Sequence, residues 1–198
     1  MKQKEKLVLA SASPRRKSLL EMMGLECNIV PSDIDESECE RESAEFLSLE
    51  LSRRKLEAVR SKIKSDVQRY SYLSADTVVS LDGEIFGKPD NFEHARAMLA
   101  KLSGKTHQVH TGFRLENVKG EFVEESVCTD VTFASLSSGD IDDYVRTKEP
   151  MDKAGAYGIQ GIGGGYILRI SGSYTNVVGL PVYEVLKAMK QIGVIVES

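Results

Sequence analysis

The chain has 198 residues, 41% of them hydrophobic, with 26 Lys and Arg against 30 Asp and Glu for a formal charge of -4. That balance argues against a broadly basic nucleic-acid coat, and the recurring apolar residues argue against a disordered chain. Cys27, Cys39 and Cys128 form no CxxC pair and stand at no short spacing from a histidine. Neither a disulfide framework nor a zinc knuckle is expected, and a reducing compartment is.

The charged start is followed only by the short apolar run Leu7 to Ala10, too brief for a signal-peptide core. No apolar stretch reaches the roughly 20 residues that span a bilayer. These features predict a cytoplasmic protein with no membrane partner. Leu7 to Ala10 reads as a buried strand, and Ser13-Pro14 as a helix start with a serine cap and a proline in the first turn. Leu19, Leu20 and Met23 form that helix's apolar stripe, Gly24 ends it, and Cys27 to Val30 is a second strand. An acidic stretch from Asp33 to Glu50 is followed by a basic one from Arg53 to Lys64, and Phe46, Leu47, Leu51 and Val59 place this region on a long amphipathic helix with its charges largely solvated.

Tyr72 to Leu81 is rich in β-formers, and Asp82-Gly83 predicts a hairpin into Glu84 to Phe86. Asn91 or its neighbour caps a helix carrying Ala95, Met98, Leu99 and Leu102, closed by Gly104. Two long antiparallel strands follow, Val109 to Leu115 and Val127 to Phe133, and then a short helix capped by Ser138. Beyond a glycine-dense loop, Ala154 to Gly165, the pattern predicts a hairpin of Tyr166–Ile170 and Tyr174–Val178 around Ser171-Gly172. Pro181 opens the last helix. Helices alternating with a mixed set of strands predict an α/β fold in a single domain over residues 1–198.

Candidate chemistry concentrates at a few places. Arg15, Arg16 and Lys17 lie in a first helical turn, where the helix dipole disfavours cations; free amides and guanidinium forks there suit a phosphate, and a solvated turn is the alternative. Asp76 interrupts an apolar strand, where a carboxylate is costly without a compensating partner. Asp33, Asp35 and Glu36 offer oxygen ligands of the kind Mg²⁺ takes, and an acidic surface explains them as well. Lys55, Lys88 and Lys153 could each neutralise phosphate or simply be surface lysines. The glycines fit neither a phosphate-loop nor a dinucleotide pattern, although Gln160 among them is an amide able to read a base edge. His94, His107 and His110 have no triad or zinc-protease context, and no serine sits in a nucleophile elbow.

Several of these segments together resemble the Maf family of nucleoside triphosphate pyrophosphatases. They are Leu9-Ala10-Ser11-Ala12-Ser13-Pro14-Arg15-Arg16, Ala75-Asp76-Thr77, Gly87-Lys88-Pro89 and Leu102-Ser103-Gly104. The long block Glu149 to Gly161 and Val178-Gly179-Leu180-Pro181 complete the set, and the matches run from about residue 7 to residue 186. The resemblance implies a strongly twisted mixed sheet with flanking helices, like that of inosine triphosphatases, and a cleft between two lobes. It also implies a metal-dependent enzyme, with Mg²⁺ first and Mn²⁺ or Co²⁺ as alternatives, that converts dTTP and UTP to monophosphate and pyrophosphate. By the same resemblance Asp76, Lys88, Arg16 and Lys55 are catalytic and Asp35 and Asp76 hold the metal. Ser13, Arg15, Arg16, Thr77, Lys88, Lys153 and Gln160 bind substrate, with Arg15, Thr77 and Gln160 linked to specificity. A homodimer and a link to septum formation are implied too. Ser74, where relatives often carry glycine, and Leu56-Glu57, in place of a more usual Ala-Lys, depart from the pattern. Competing readings are a pyrophosphatase for modified purine nucleotides such as a methylated guanine nucleotide, a nucleotide-binding division regulator without turnover, and, weakest, an RNA-binding module.

Overall fold

The computed structural model describes residues 1–36, 39, 42–63 and 69–197; Glu38, Glu40 and Lys64 of the charged stretches lie outside them. The chain runs Lys2–Gln3 (β1), Lys6–Leu9 (β2), Pro14–Met22 (α1), Cys27–Ile29 (β3), Ala44–Lys62 (α2), Tyr70–Leu81 (β4) and Glu84–Phe86 (β5). Phe92–Leu102 (α3), Thr106–Glu116 (β6), Phe122–Phe133 (β7) and Ser138–Arg146 (α4) follow. Three short 3-10 turns, Glu149–Asp152, Ala154–Ala156 and Ile162–Tyr166, lead into Ile167–Ser171 (β8), Tyr174–Val178 (α5), Val182–Gln191 (α6) and Ile195–Val196 (β9).

The main sheet has the order β3-β2-β4-β6-β7-β8, with β5 folded back on β4, while β1 and β9 pair in a small ribbon of their own. β2 runs parallel to β3 and β4, and β4, β6, β7 and β8 are antiparallel neighbours, which makes the sheet mixed as expected. Asp82 and Gly83 both adopt positive φ, 51° and 83°, as the tight turn between β4 and β5 requires. Ser43 and Asn91 cap α2 and α3 by accepting from the amides of Phe46 and His94.

Three sequence expectations change. Ser13 stands at the start of α1, but its hydroxyl makes no cap; its amide donates to Ser11 Oγ at 3.2 Å. The cap of α4 is Ser137, one residue earlier than expected, in a reciprocal capping box with Asp140. Tyr174–Val178 is a helix, not the second arm of a hairpin. Ser173 caps it, accepting from the Asn176 amide, and the Asn176 side chain is buried against Val109 O and Thr129 Oγ1, each at 3.0 Å. Those polar anchors override the β-branched composition.

Alternation along β4 sets up the site. Tyr72, Ser74, Asp76 and Val78 share the face that α2 covers, where Leu56 and Val59 pack on Tyr72, and Leu47 and Leu51 on Val78. The opposite face carries Leu73 and Ala75 into one core cluster and Val79 and Leu81 into another. Thr77 falls between these two clusters, and its β6 partner Thr111 lies beside it. A polar seam thus divides two apolar cores, and the cleft expected between two lobes opens there.

Candidate active site

A cavity of about 560 Å³ occupies this seam, within the size range of small-molecule sites. Its wall includes Ser13, Arg15 and Arg16 from the start of α1, Glu36, Lys55 from α2, Asp76 and Thr77 from β4, Lys88, and Lys153. An apolar part of the wall comes from Leu47, Leu51, Val78, Val79, Phe86 and Val109.

Asp76 is buried, and Lys55 reaches it from α2 with its ammonium on Asp76 Oδ1. The same ammonium lies 2.7 Å from Glu36 Oε1, so one cation bridges two carboxylates. Burial raises the Asp76 pKa above the usual aspartate value; Lys55 and Arg16 oppose that shift and Glu36 adds to it. Burial also acts on Glu36, but there the fields of Lys55, Lys88 and Arg16 prevail and hold its carboxyl below the ordinary value.

Arg16 is braced on three sides. Its Nε donates to Gly179 O at 2.7 Å, Nη1 to Ser11 Oγ at 3.1 Å and Nη2 to Thr77 Oγ1 at 3.2 Å. Burial lowers its pKa, with Asp76 pulling the other way. Arg15 has a longer contact, 3.9 Å, with Asp152, and Lys153 Nζ donates to Glu149 O at 2.7 Å. Gly155 donates to Gly87 O, which ties the Lys88 turn to the glycine-dense block.

That block is organised by an acid the sequence patterns do not single out. The Glu149 carboxylate accepts from the amides of Ile162 and Gly163 at 3.0 and 3.1 Å and from the Tyr144 hydroxyl at 2.9 Å. A Cβ on Gly161 would stand 2.4 Å from Glu149 Oε2, and one on Gly163 2.4 Å from the Tyr144 hydroxyl. The glycines are small because the chain closes around a carboxylate, and no phosphate need be invoked.

Two expected residues are placed elsewhere. Asp35 is exposed and outside the cavity wall; the acid of its loop that reaches Lys55 is the next residue, Glu36. Apolar periodicity does not extend through this loop, so neighbouring acids cannot be told apart by pattern. Gln160 is likewise exposed and outside the wall, on the outer turn where Gly161 N donates to Gly158 O at 3.4 Å. Of the wall's carboxylates, Asp33 pairs with Lys62 and Asp152 with Lys153, which leaves the oxygens of Asp76 and Glu36 for a divalent cation; no group of three or more His, Cys, Asp or Glu among the described residues forms a protein cage. Two carboxylates fit the way Mg²⁺ is usually held, with waters and substrate phosphates completing its shell.

A buried carboxylate, a cationic rim and an apolar wall in one cleft define an α/β protein built to handle a phosphorylated, partly apolar small molecule. The chain belongs to the Maf-like protein family, whose model matches residues 6–192. It is 42% identical over 191 residues to the "Nucleoside triphosphate pyrophosphatase" of Haemophilus ducreyi, covering 96% of each chain. It is 46% identical to the "dTTP/UTP pyrophosphatase" of Methylobacillus flagellatus, covering 96% of this chain and 94% of that one. The protein of the same description from Thermococcus onnurineus is also 46% identical, with 94% and 97% covered. Among solved structures, the Ham1 protein of Staphylococcus aureus superposes with a TM-score of 0.48 at 15% identity, over 82% of this chain and 80% of that one.

Proposed function

We propose that the protein hydrolyses nucleoside triphosphates, dTTP and UTP foremost, between the α- and β-phosphates to give monophosphate and pyrophosphate. The observation that carries this reading is Asp76: a buried carboxylate of raised pKa, on the wall of a cavity that also presents Arg15, Arg16, Lys88 and Lys153. The relatives' descriptions supply the substrate.

In this reading the triphosphate lies along the start of α1 and Lys88, and the base rests toward the apolar wall. Asp76 takes a proton from water as the water oxygen bonds to the α-phosphorus. The bond from the α-phosphorus to the bridging oxygen breaks, and pyrophosphate departs with the electron pair. Arg16, held at three points, and the lysines stabilise charge growing on the phosphoryl oxygens without reorganising. Lys55 opposes the effect of burial on Asp76 and orients its carboxylate. A Mg²⁺ ion, with Mn²⁺ or Co²⁺ as alternatives, would be held by Asp76 and Glu36 and would supply neutralisation of phosphate charge and acidification of water. Glu36 replaces Asp35 in this role because it alone of the two lines the cavity. The family resemblance adds a cytoplasmic setting, a homodimer and a tie to septum formation; sedimentation tests the dimer.

The test is a panel of nucleoside triphosphates with Mg²⁺, products separated by chromatography, for wild type and Asp76→Asn. Conversion of dTTP and UTP to monophosphate plus pyrophosphate, lost at least a hundredfold in a folded Asp76→Asn, is the expected result, in line with roughly 10²–10⁴ for a removed general base. Preference for a purine nucleotide would overturn the pyrimidine assignment. Binding without turnover would favour the regulator.

A further inference from the structure

Behind the cavity wall the hydrogen-bond chain that holds Arg16 continues through the sheet. Arg16 Nη2 donates to Thr77 Oγ1, Thr77 Oγ1 lies 2.9 Å from Thr111 Oγ1, and Thr111 Oγ1 donates to Asn176 O at 3.0 Å. The two ends settle the direction of every proton. A guanidinium can only donate and a backbone carbonyl can only accept. Thr111 has one hydroxyl proton and spends it on Asn176 O, so the proton in the Thr77–Thr111 bond comes from Thr77. Thr77 therefore has no proton to give the cavity, and since one of its two lone pairs accepts from Arg16, a single lone pair is left for a ligand.

The anchor of this polarity is rigid. Asn176 is fully buried, its amide nitrogen fixed to Val109 O and Thr129 Oγ1, and its backbone N–H capped by Ser173. Thr111 is also fully buried and stands outside the cavity wall, whereas Thr77 is part of it.

We propose that Thr111 and Asn176 are positioning residues for base selection: they commit Thr77 to act as a hydrogen-bond acceptor, which admits bases that present N–H and disfavours those that present a lone pair at the same place. The inference rests on the dTTP and UTP reading and deepens it. Uracil and thymine carry a proton on N3 between two carbonyls, and cytosine carries a lone pair on N3. A Thr77 oxygen without an available proton pairs with the first and opposes the second. Such a site rejects the mismatched base because both lone pairs are left unpaired.

The test compares kcat/KM for dTTP and dCTP in wild type, Thr111→Val and Thr111→Ser. Valine removes the acceptor of the Thr77 proton and frees that hydroxyl to turn toward the cavity and donate. The dTTP-over-dCTP ratio is expected to fall at least tenfold in Thr111→Val, mainly through KM, and to return in Thr111→Ser. An equal loss for both nucleotides, with the ratio intact, would mean that Thr111 acts on stability alone and would overturn the proposal. Neutron diffraction on deuterated wild-type crystals tests the polarity without a variant: the Thr77 deuteron is expected between Thr77 and Thr111, and a deuteron pointing into the cavity overturns it. A wild-type enzyme that does not prefer dTTP to dCTP, with the deuteron found as expected, would instead fault the substrate reading.

Discussion

Gly112 on β6 lies directly under the backbone of Ser48 on α2: a Cβ on Gly112 would stand 2.4 Å from the Ser48 carbonyl carbon and 2.6 Å from Leu49 N. Around this crossing small hydroxyls also meet. Ser48 Oγ meets Ser126 Oγ at 3.0 Å, and Ser74 Oγ donates to Ser52 O at 2.7 Å. Small residues let the helix settle onto the sheet, and Lys55, two turns beyond Ser48 on the same helix face, consequently reaches Asp76.

Gly112→Ala forces α2 off the sheet, because the obstruction is backbone and cannot rotate away. The expected cost is about 1–3 kcal/mol, typical of overpacking. Turnover is expected to fall further than stability alone explains, as Lys55 withdraws from Asp76. Thermal denaturation and steady-state kinetics on the same preparation measure the two effects.

In the metal-free enzyme, carboxyl-carbon NMR should find Asp76 titrating above the ordinary aspartate range, since burial outweighs its cations. Lys55→Met removes a stabilising cation and moves that midpoint further up. Glu36→Gln removes a neighbouring negative charge and moves it down. Shifts of the same sign in both variants would contradict the bridged arrangement.

Glu149 holds the glycine-dense block by accepting two amides and a phenol. Glu149→Ala leaves those donors without their acceptor and is expected to cost about 1–3 kcal/mol. Burial raises the Glu149 pKa, but its hydrogen bonds and Lys153 lower it more, so the folded value is depressed. The stability it contributes is present above the unfolded pKa and is lost as pH falls through the folded one. The difference in Tm between wild type and Glu149→Ala should therefore shrink on acidification.

His107 is buried among Phe133 and Tyr157, with Nε2 2.8 Å from the Tyr157 hydroxyl, and burial pushes its pKa down to about 4. Below the ordinary histidine pKa the unfolded chain takes up a proton that the folded one refuses, so stability falls as pH drops from about 6.5 toward 4. The loss across that window is about 2–3 kcal/mol. Urea denaturation of His107→Gln, which does not titrate there, should show a shallower pH dependence than wild type.

Regular elements were legible wherever local grammar and burial agree. Leu7 to Leu9, the Asp82-Gly83 turn, the Asn91 cap and the helix that Pro181 opens are examples. Asp76 stood out because a carboxylate inside an apolar strand demands a partner, but that the partner is Lys55 depends on how closely α2 crosses the sheet. Tyr174–Val178 reads as a strand by composition and folds as a helix because Ser173 and the buried Asn176 anchor it. Glu36 rather than Asp35 faces the cavity through loop geometry alone. The role of Glu149 depends on amides 13 and 14 residues away, which no local pattern links to it.

Water attack on the α-phosphorus beside Asp76 fixes where an oxygen from solvent ends up. Hydrolysis of dTTP in ¹⁸O-water, with both products analysed by mass spectrometry, should place one labelled oxygen in the nucleoside monophosphate and none in pyrophosphate. Label in pyrophosphate would mean attack on the β-phosphorus, and release of labelled inorganic phosphate would mean attack on the γ-phosphorus; either result contradicts the account.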